Sequence, residues 1–448
     1  MNLFAEKILL SDGWASDVTL EITNGIISSI KQGKANNAET VDGPVIPGMA
    51  NLHSHAFQKA FVGMTEFRTS NQDSFWSWRD SMYRLLVQLT PEQLKTVGEY
   101  LYLQMLSFGY TSCAEFHYLH HQPNGVKYDD PATMSKVLVD AADNVGIGFC
   151  ICPVFYHYAG FNHQPAEQQQ LMFTHSVDEF QALVSNLKTY TSDFTDSRVG
   201  IAPHSLRAVS KEQLDELTDW WQGPIHIHIA EQMKEVNECM EFYQARPIEW
   251  LMDNYAIDSN WCLVHATHAN QTEVQAMAKQ QAVVGLCPAT EANLGDGLFN
   301  MPEFVGHNGL FGIGSDSQIS LSSFKELQLL EYGQRLNRQK RNLLATEQLS
   351  HVGRYLWQNA AINGSKVLDR KAGAIEVGYK ADLVILDPTI PELSFKQNDF
   401  IIDTAIFACD ENPVKDVMVA GEWKISGGRH KQQESIINNY RQLMKLVS

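Results

Sequence analysis

The chain has 448 residues, 44% of them hydrophobic and 19% charged, with a formal net charge of -18. That length exceeds what one hydrophobic core usually spans, so one large domain with a smaller companion is expected. The acidity excludes a nucleic-acid or anionic-membrane surface, and it means that an anionic substrate has to be met by cations placed locally.

Seven cysteines (113, 150, 152, 239, 262, 287 and 409) occur in an odd count without framework spacing, the usage of a reducing cytosol. Cys150 and Cys152 fall inside an apolar, strand-like run and are expected to pack rather than bind metal. The N-terminus lacks a basic segment followed by an apolar one, and no apolar run reaches membrane-spanning length. A soluble cytoplasmic protein is expected, with no nucleic-acid or membrane partner.

Residues 1–46 read as short strands (Leu3 to Leu10, Val18 to Ile22, Ile26 to Ile30) separated by the turn signals Asp12-Gly13 and Asn24-Gly25. The same texture returns in GAIEVGYKADLVILD and VKDVMVAGEWKISGGRH, so residues 369–448 are expected to complete a small β-sandwich domain with the first segment and to end in a helix. Between them, residues 47–368 alternate apolar runs with amphipathic helices. The runs lie at 45–53, 110–117, 147–156, 198–203, 225–230, 261–267, 282–287 and 309–314. Thr90-Pro91-Glu92, Ser210 with Gln213, and Asn270 supply helix starts. Eight such units in a row predict an α/β protein with a (β/α)₈ TIM-type barrel, whose active site would sit at the C-terminal strand ends.

Those ends are unusually polar. The first run closes on His53-Ser54-His55, two histidines that an extended strand turns to one face. The second gives Glu115, His117 and Tyr118; the fourth gives His204 and Arg207. The fifth is IHIHIAE, with His226, His228 and Glu231; the sixth is LVHATH, with His265 and His268; the eighth is GIGSDS, with Asp316. His53, His55, one histidine of the fifth run and Asp316 suit a catalytic zinc site that keeps a position for water. Such a water becomes a nucleophile near neutral pH, Glu231 can shuttle protons to a leaving atom, and His265 can hold the water or stabilise developing charge. Glu231 stands three residues after His228 and favours His228 as the ligand, which makes His226 an interior histidine. His268 reads as a surface or supporting residue, and the group His117, His120 and His121 reads equally as a solvated loop or a binding element. No lysine stands at 153–157 or 202–207 to be carbamylated, so one metal is favoured over two. The ligand set suits iron(II) as well as zinc.

PGMANLHSH, HIHIAE, VHATH and GIGSDS together resemble the amidohydrolase superfamily, in its mononuclear deaminase branch, over nearly the whole chain. DSFWSWRDSMYRL, AEFHYLHH, APHSLRAV and CPATEANLGDG resemble more closely the formimidoylglutamate deiminases of bacterial histidine degradation. The resemblance implies zinc-dependent hydrolysis of the formimino C=N to N-formyl-L-glutamate and ammonia, and a homodimer. It implies one zinc per chain on His53, His55, His228 and Asp316. Glu231 and His265 would handle protons, and Asp316 would accept one from the water. Gln58 would lie near the formimino group, with Arg79, Tyr118, His204 and Arg207 on the two carboxylates. The arginines have a physical basis of their own, since a dicarboxylate entering so acidic a protein needs guanidinium forks; Arg79 could equally brace its aromatic loop against the tryptophans. Glu291, Asn293 and Asp296 stand out by composition, as loop caps or ligand contacts. A deaminase of guanine-like or cytosine-like bases or a related amidine is the alternative within the branch. A barrel that had lost catalysis would be expected to have lost ligands, and none is missing here.

Overall fold

The computed structural model describes residues 1–67, 75–86 and 89–447. Eight parallel strands form the centre: Met49–Ser54, Tyr110–His117, Gly148–Phe155, a fourth broken into Ser197–Val199 and Ala202–Pro203, then Ile225–Ile229, Trp261–His265, Val283–Leu286 and Leu310–Ile313. Neighbours run in the order four, three, two, one, eight, seven, six, five. The ring closes where Ile201 bridges Ile225 and the His226 N–H donates to the Ile201 carbonyl at 3.0 Å. All residues of the second, third, fifth, sixth and seventh strands are buried, as expected of strands covered by helices outside and by side chains within.

The helix starts follow the local chemistry. Thr90 caps Pro91–Ser107 with a capping box to Gln93, and Leu94, Val97, Leu101 and Met105 turn inward. Ser210 with Gln213 and Asn270 with Glu273 make the same reciprocal bonds at Lys211–Trp220 and Gln271–Gln280.

The chain ends pair as one nine-stranded sheet, in which Val45–Pro47 lies between Asn2–Leu10 and Leu383–Leu386. Asn24 and Gly25, both at positive φ (50° and 76°), make the tight turn between Gly13–Thr23 and Ile26–Gln32. One apolar cluster, with Leu3, Ile8, Leu20, Ile27, Leu383 and Met418, belongs to this sheet and is separate from the barrel core. The terminal helix Gln433–Val447 returns to the barrel, where Tyr440 stacks on Tyr100 at 3.9 Å. Among the described residues no helix is long and apolar enough to cross a membrane. Cys150 and Cys152 are buried with sulfurs 3.8 Å apart, and all seven cysteines are free.

One ion cluster joins sheet and barrel. Arg370 donates from Nη1 to Asp382 at 2.7 Å and from Nε to Asp196 at 3.1 Å, and Nη2 also meets Asp196. Both Arg370 and Asp382 side chains are fully buried. Gly148 leaves room for the guanidinium, since a Cβ there would lie 2.4 Å from Arg370 Cζ. Removing one partner of a buried ion pair strands the others, so Arg370→Met is expected to destabilise the fold by about 3–5 kcal/mol. A chemical-denaturation midpoint unchanged from wild type would show that the cluster contributes nothing net.

Candidate active site

The first and eighth strands are stitched together beyond their ends. Asp316 N–H donates to the His53 carbonyl at 3.0 Å and His55 N–H to the Asp316 carbonyl at 3.2 Å. Asp316 holds φ +45°, a left-handed conformation that costs a non-glycine residue roughly 1–3 kcal/mol and turns its carboxylate inward. His53 and His55 face one point, as the strand period requires, with Nε2 atoms 3.2 Å apart. His228 Nε2 lies 3.1 Å from His53 Nε2, and Asp316 Oδ1 lies 3.2 Å from His55 Nε2 and 3.7 Å from His53 Nε2.

The tautomers follow from the partners. His55 Nδ1 sits 2.8 Å from the Phe116 carbonyl and His228 Nδ1 sits 3.1 Å from the His204 carbonyl. A carbonyl only accepts, so each Nδ1 carries the hydrogen and each Nε2 presents a lone pair. Burial and the neighbouring imidazoles hold His53 and His228 well below the usual histidine range, and burial takes His55 down to about 3. Neutral imidazoles with facing lone pairs, set close to the roughly 3.3 Å edge of a tetrahedron with ~2.0 Å metal–nitrogen bonds, fit a divalent cation.

Glu115 fixes this corner from outside. Fully buried, it accepts from Ala56 N–H at 2.5 Å, Ser54 Oγ at 2.8 Å and Tyr102 OH at 3.1 Å. Gln318 Nε2 donates to Ser54 Oγ at 2.9 Å and to the Asp316 carbonyl at 2.7 Å.

On the far side, His265 Nε2 lies 3.8 Å from Glu231 Oε1 and 3.5 Å from Asp316 Oδ2, while Nδ1 faces Glu291 Oε1 at 3.3 Å. Burial alone would lower its pKa, but Glu231, Glu291 and Asp316 outweigh it and lift the imidazole to about 10. Burial raises Asp316 to about 7, against the pull of His265. Glu231 is also raised by burial, opposed by His265 and Arg207. Glu235 clamps the turn that carries Glu231, accepting from the Ala230 and Glu231 N–H groups at 3.2 Å each.

A cavity with about 460 Å³ of space unfilled by protein atoms opens above these groups. It is lined by His55, Gln58, Arg79, Tyr118, His204, Arg207, His228, Glu231, His265 and Asp316, so of the residues expected to hold metal, move protons or bind substrate only His53 is not among its lining. Gln58 Nε2 donates to Tyr118 OH at 3.2 Å, and its Oε1 has no partner among the described residues. Arg79 belongs to the helix Phe75–Leu86 rather than to an irregular loop, and its guanidinium lies over Trp76 at 4.8 Å. Arg207 approaches the same ring at 5.7 Å, and its buried Nη1 has no partner among the described residues. Asp73 and Ser74, which open the DSFWSWRDSMYRL stretch, lie outside the described residues.

Other sequence candidates fall elsewhere. His226 turns away and donates from Nε2 to the Val367 carbonyl at 2.9 Å, an interior histidine as expected. His268 is half-buried and does not line the cavity. His117, His120 and His121 are not solvated: all are buried, and His120 and His121 donate to the Val154 and Thr174 carbonyls at 3.0 and 2.9 Å. Of Glu291, Asn293 and Asp296, only Glu291 bonds to a site residue; Asn293 reaches Glu66 at 2.9 Å, and Asp296 meets Gln232. Sequence reading missed Trp76 as the shared platform of the arginines, Lys234 above it at 4.4 Å, and the clamps Glu235 and Gln318. Glu235 carried a weak signal, standing one turn after Glu231; Gln318 carried none.

Comparison with known proteins agrees with this arrangement. Residues 45–424 match the model of the Amidohydrolase family, and residues 2–40 match the model described as Formimidoylglutamate deiminase HutF, N-terminal domain. A formimidoylglutamate deiminase of Pseudomonas aeruginosa is 44% identical over 446 residues, covering 99% of this chain and 98% of that protein. The crystal structure of an amidohydrolase from Brucella melitensis superposes with a TM-score of 0.94 at 40% identity, covering 100% of this chain and 99% of that one. An adenosine deaminase from Xanthomonas campestris, solved with bound zinc, shares the fold at a TM-score of 0.82 and 19% identity, covering 100% and 98%. Sequence and fold agree, and the chain belongs to the amidohydrolase family.

Proposed function

We propose that this chain is a metal-dependent formimidoylglutamate deiminase, which hydrolyses N-formimidoyl-L-glutamate to N-formyl-L-glutamate and ammonia. The observation that carries the reading is the joining, in one cavity, of a ligand cluster at one end and two guanidiniums on a shared tryptophan at the other. The similarity to the Pseudomonas enzyme supports the same substrate. Deamination of an aromatic base has no such support, because a base offers no carboxylates for the arginines.

His53, His55, His228 and Asp316 would hold one zinc ion, with iron(II) suited to the same donors. A divalent ion bound there would supply Lewis acidity, by which water becomes a nucleophile near neutral pH. Asp316 takes a proton from the attacking water through the oxygen that faces His265. Glu231, whose pKa burial raises, delivers a proton to the departing nitrogen, and His265, held cationic, balances charge developing at the formimino carbon. Gln58 orients the formimino group through its unpartnered Oε1. Arg79, Arg207, Tyr118 and His204 receive the carboxylates, with Arg207 Nη1 as a ready donor.

The chain divides into residues 1–46 and 369–448, which form the β-sandwich domain with the terminal helix, and residues 47–368, which form the catalytic barrel. Its seven free cysteines suit a cytoplasmic location, and a homodimer is the assembly that accompanies the family resemblance.

Ammonia release on formimidoylglutamate should exceed that on formimidoylglycine, guanine and cytosine by several orders of magnitude; equal rates without the glutamate carboxylates overturn the substrate. Arg79→Met and Arg207→Met should each cut kcat/KM by the equivalent of about 2–5 kcal/mol, roughly 30-fold to several-thousand-fold, mainly through KM. Glu231→Gln should lower kcat by about 10²–10⁴-fold with metal still bound. Glu115→Gln should weaken zinc binding roughly 10–100-fold, measured by chelator competition, because the amide cannot accept from the Ala56 N–H and the Ser54 and Tyr102 hydroxyls as the carboxyl group does, and the turn that carries His55 loses that support.

A further inference from the structure

A second concentration of positive charge lies apart from the active-site cavity. Residues 332–346 carry Arg335, Arg338, Lys340 and Arg341 and no acidic residue, in a chain of net charge -18. Arg335 and Arg338 stand in the last turn of the helix Ser323–Arg338, where cations suit the helix dipole, and Arg338 is also bonded to Asn300 Oδ1 at 2.8 Å. Arg341 lies beyond that turn. It joins Arg335 in lining a groove of about 890 Å³, open to solvent, between the helix end and the helix Phe400–Phe407. Among the described residues the groove and the active-site cavity have no lining residue in common.

Arg335 is held in place from below. Glu331, fully buried, accepts from its Nε at 2.6 Å and from the Leu343 and Leu344 N–H groups at 3.0 and 2.9 Å, so one carboxylate fixes both this guanidinium and the loop that carries Arg341. Asn342 Oδ1 accepts from Nη2 at 3.1 Å, and the guanidinium lies against the Tyr332 and Phe407 rings at 5.2 and 5.1 Å. Arg335 Nη1 and the Arg341 side chain make no hydrogen bond or ion pair among the described residues. Asp403, the acid of the lining, is already engaged, by His351 Nδ1 at 2.5 Å and by Gly353 N–H at 2.8 Å. Phe400, at the rim, meets the His351 ring edge-on at 4.9 Å and is 61% exposed. Guanidinium donors without acceptors and an uncovered aromatic ring contribute little to the fold, and together they are what a flat anion pairs with.

We propose that this groove is a binding site for a planar aromatic ring that carries an oxyanion, a phosphate or a carboxylate. The oxyanion accepts from Arg335 Nη1 and from the Arg341 guanidinium, and the ring lies on Phe400. No covalent bond is made or broken. A ring without the oxyanion leaves both guanidiniums unpaired, and an oxyanion without the ring leaves Phe400 uncovered, so the two halves bind best when joined. The inference does not depend on the proposed reaction or on a metal.

The test is equilibrium dialysis of the full chain against AMP, benzoate and inorganic phosphate. AMP or benzoate is expected to bind more tightly than phosphate, and the tighter of the two shows which oxyanion the groove takes. Arg341→Met should weaken that binding roughly tenfold or more, as expected for a lost hydrogen bond to a charged group. Phe400→Ala should weaken it roughly twofold to tenfold and leave phosphate unchanged. Both side chains are exposed, so denaturation midpoints should stay at the wild-type value. Arg79 and Arg207 offer the same anions a rival place, so the dialysis is repeated with Arg207→Met. Binding kept in Arg207→Met and weakened in Arg341→Met supports the groove; binding lost in Arg207→Met and unchanged in Arg341→Met overturns it. Failure of both AMP and benzoate to bind overturns it too, as does a sedimentation change in Arg341→Met that shows a second copy of the chain covering the groove.

Discussion

Lone pairs aimed at one another across 3.1–3.2 Å repel unless a cation lies among them. The structure brings the Nε2 atoms of His53, His55 and His228 that close while the other nitrogens of His55 and His228 are bonded elsewhere and His53 Nδ1 has no hydrogen-bond partner among the described residues. Carbonyls of Phe116 and His204 take the Nδ1 hydrogens of His55 and His228, and the crossed backbone bonds between His53, His55 and Asp316 lock the strand ends. Glu115 and Gln318 meet at the Ser54 hydroxyl, so the second, first and eighth strands share one buried hydrogen-bond network. Turning a ring would break these bonds; a hydrogen on His53 Nε2 can ease the repulsion towards one neighbour at a time, whereas a cation held among the three would ease it towards both, which is what preorganisation means here.

The same burial produces opposite protonation in neighbouring groups. His53, His55 and His228 see other imidazoles and few charges, so desolvation keeps them neutral and able to ligate. His265 sees three carboxyl groups at 3.3–3.8 Å, and their field overrides desolvation. Histidines a few ångströms apart are thus sorted into neutral candidate ligands and a cation by their neighbours alone.

That sorting explains what the sequence could convey. The alternation of strands placed His53 and His55 on one face, and the registration of polar residues with run ends located the barrel mouth; both are local periodicities that the chain carries in its order. The choice between His226 and His228 depends on register: His226 Nε2 is bonded to the Val367 carbonyl, whereas His228 Nε2 faces His53. What stayed hidden depends on neighbours remote in sequence. Gln318 beneath Ser54, Lys234 and both arginines on Trp76, and Cys287 beside His265 and Asp316 are tertiary juxtapositions with no spacing rule. For the group His117, His120 and His121 the sequence left a solvated loop and a binding element equally open for a related reason: the Val154 and Thr174 carbonyls and the His175 ring that meet His120 and His121 are remote in sequence.

Specificity on the proposed reading follows from where the charge lies rather than from how much there is. The molecule carries a net charge of -18, yet its cavity presents Arg79 and Arg207 at one end, with Lys234 above their shared tryptophan. A substrate with two carboxylates pairs those guanidiniums and keeps their hydrogen bonds satisfied. A flat base of similar size would fill the space but leave Arg207 Nη1 desolvated and without an acceptor, a state in which it already stands without substrate. Leaving a charged donor unpaired in a closed site costs more than the loss of apolar contact, so discrimination against bases is expected to come from the arginine end, while the metal end, common to both kinds of substrate, contributes little to the choice.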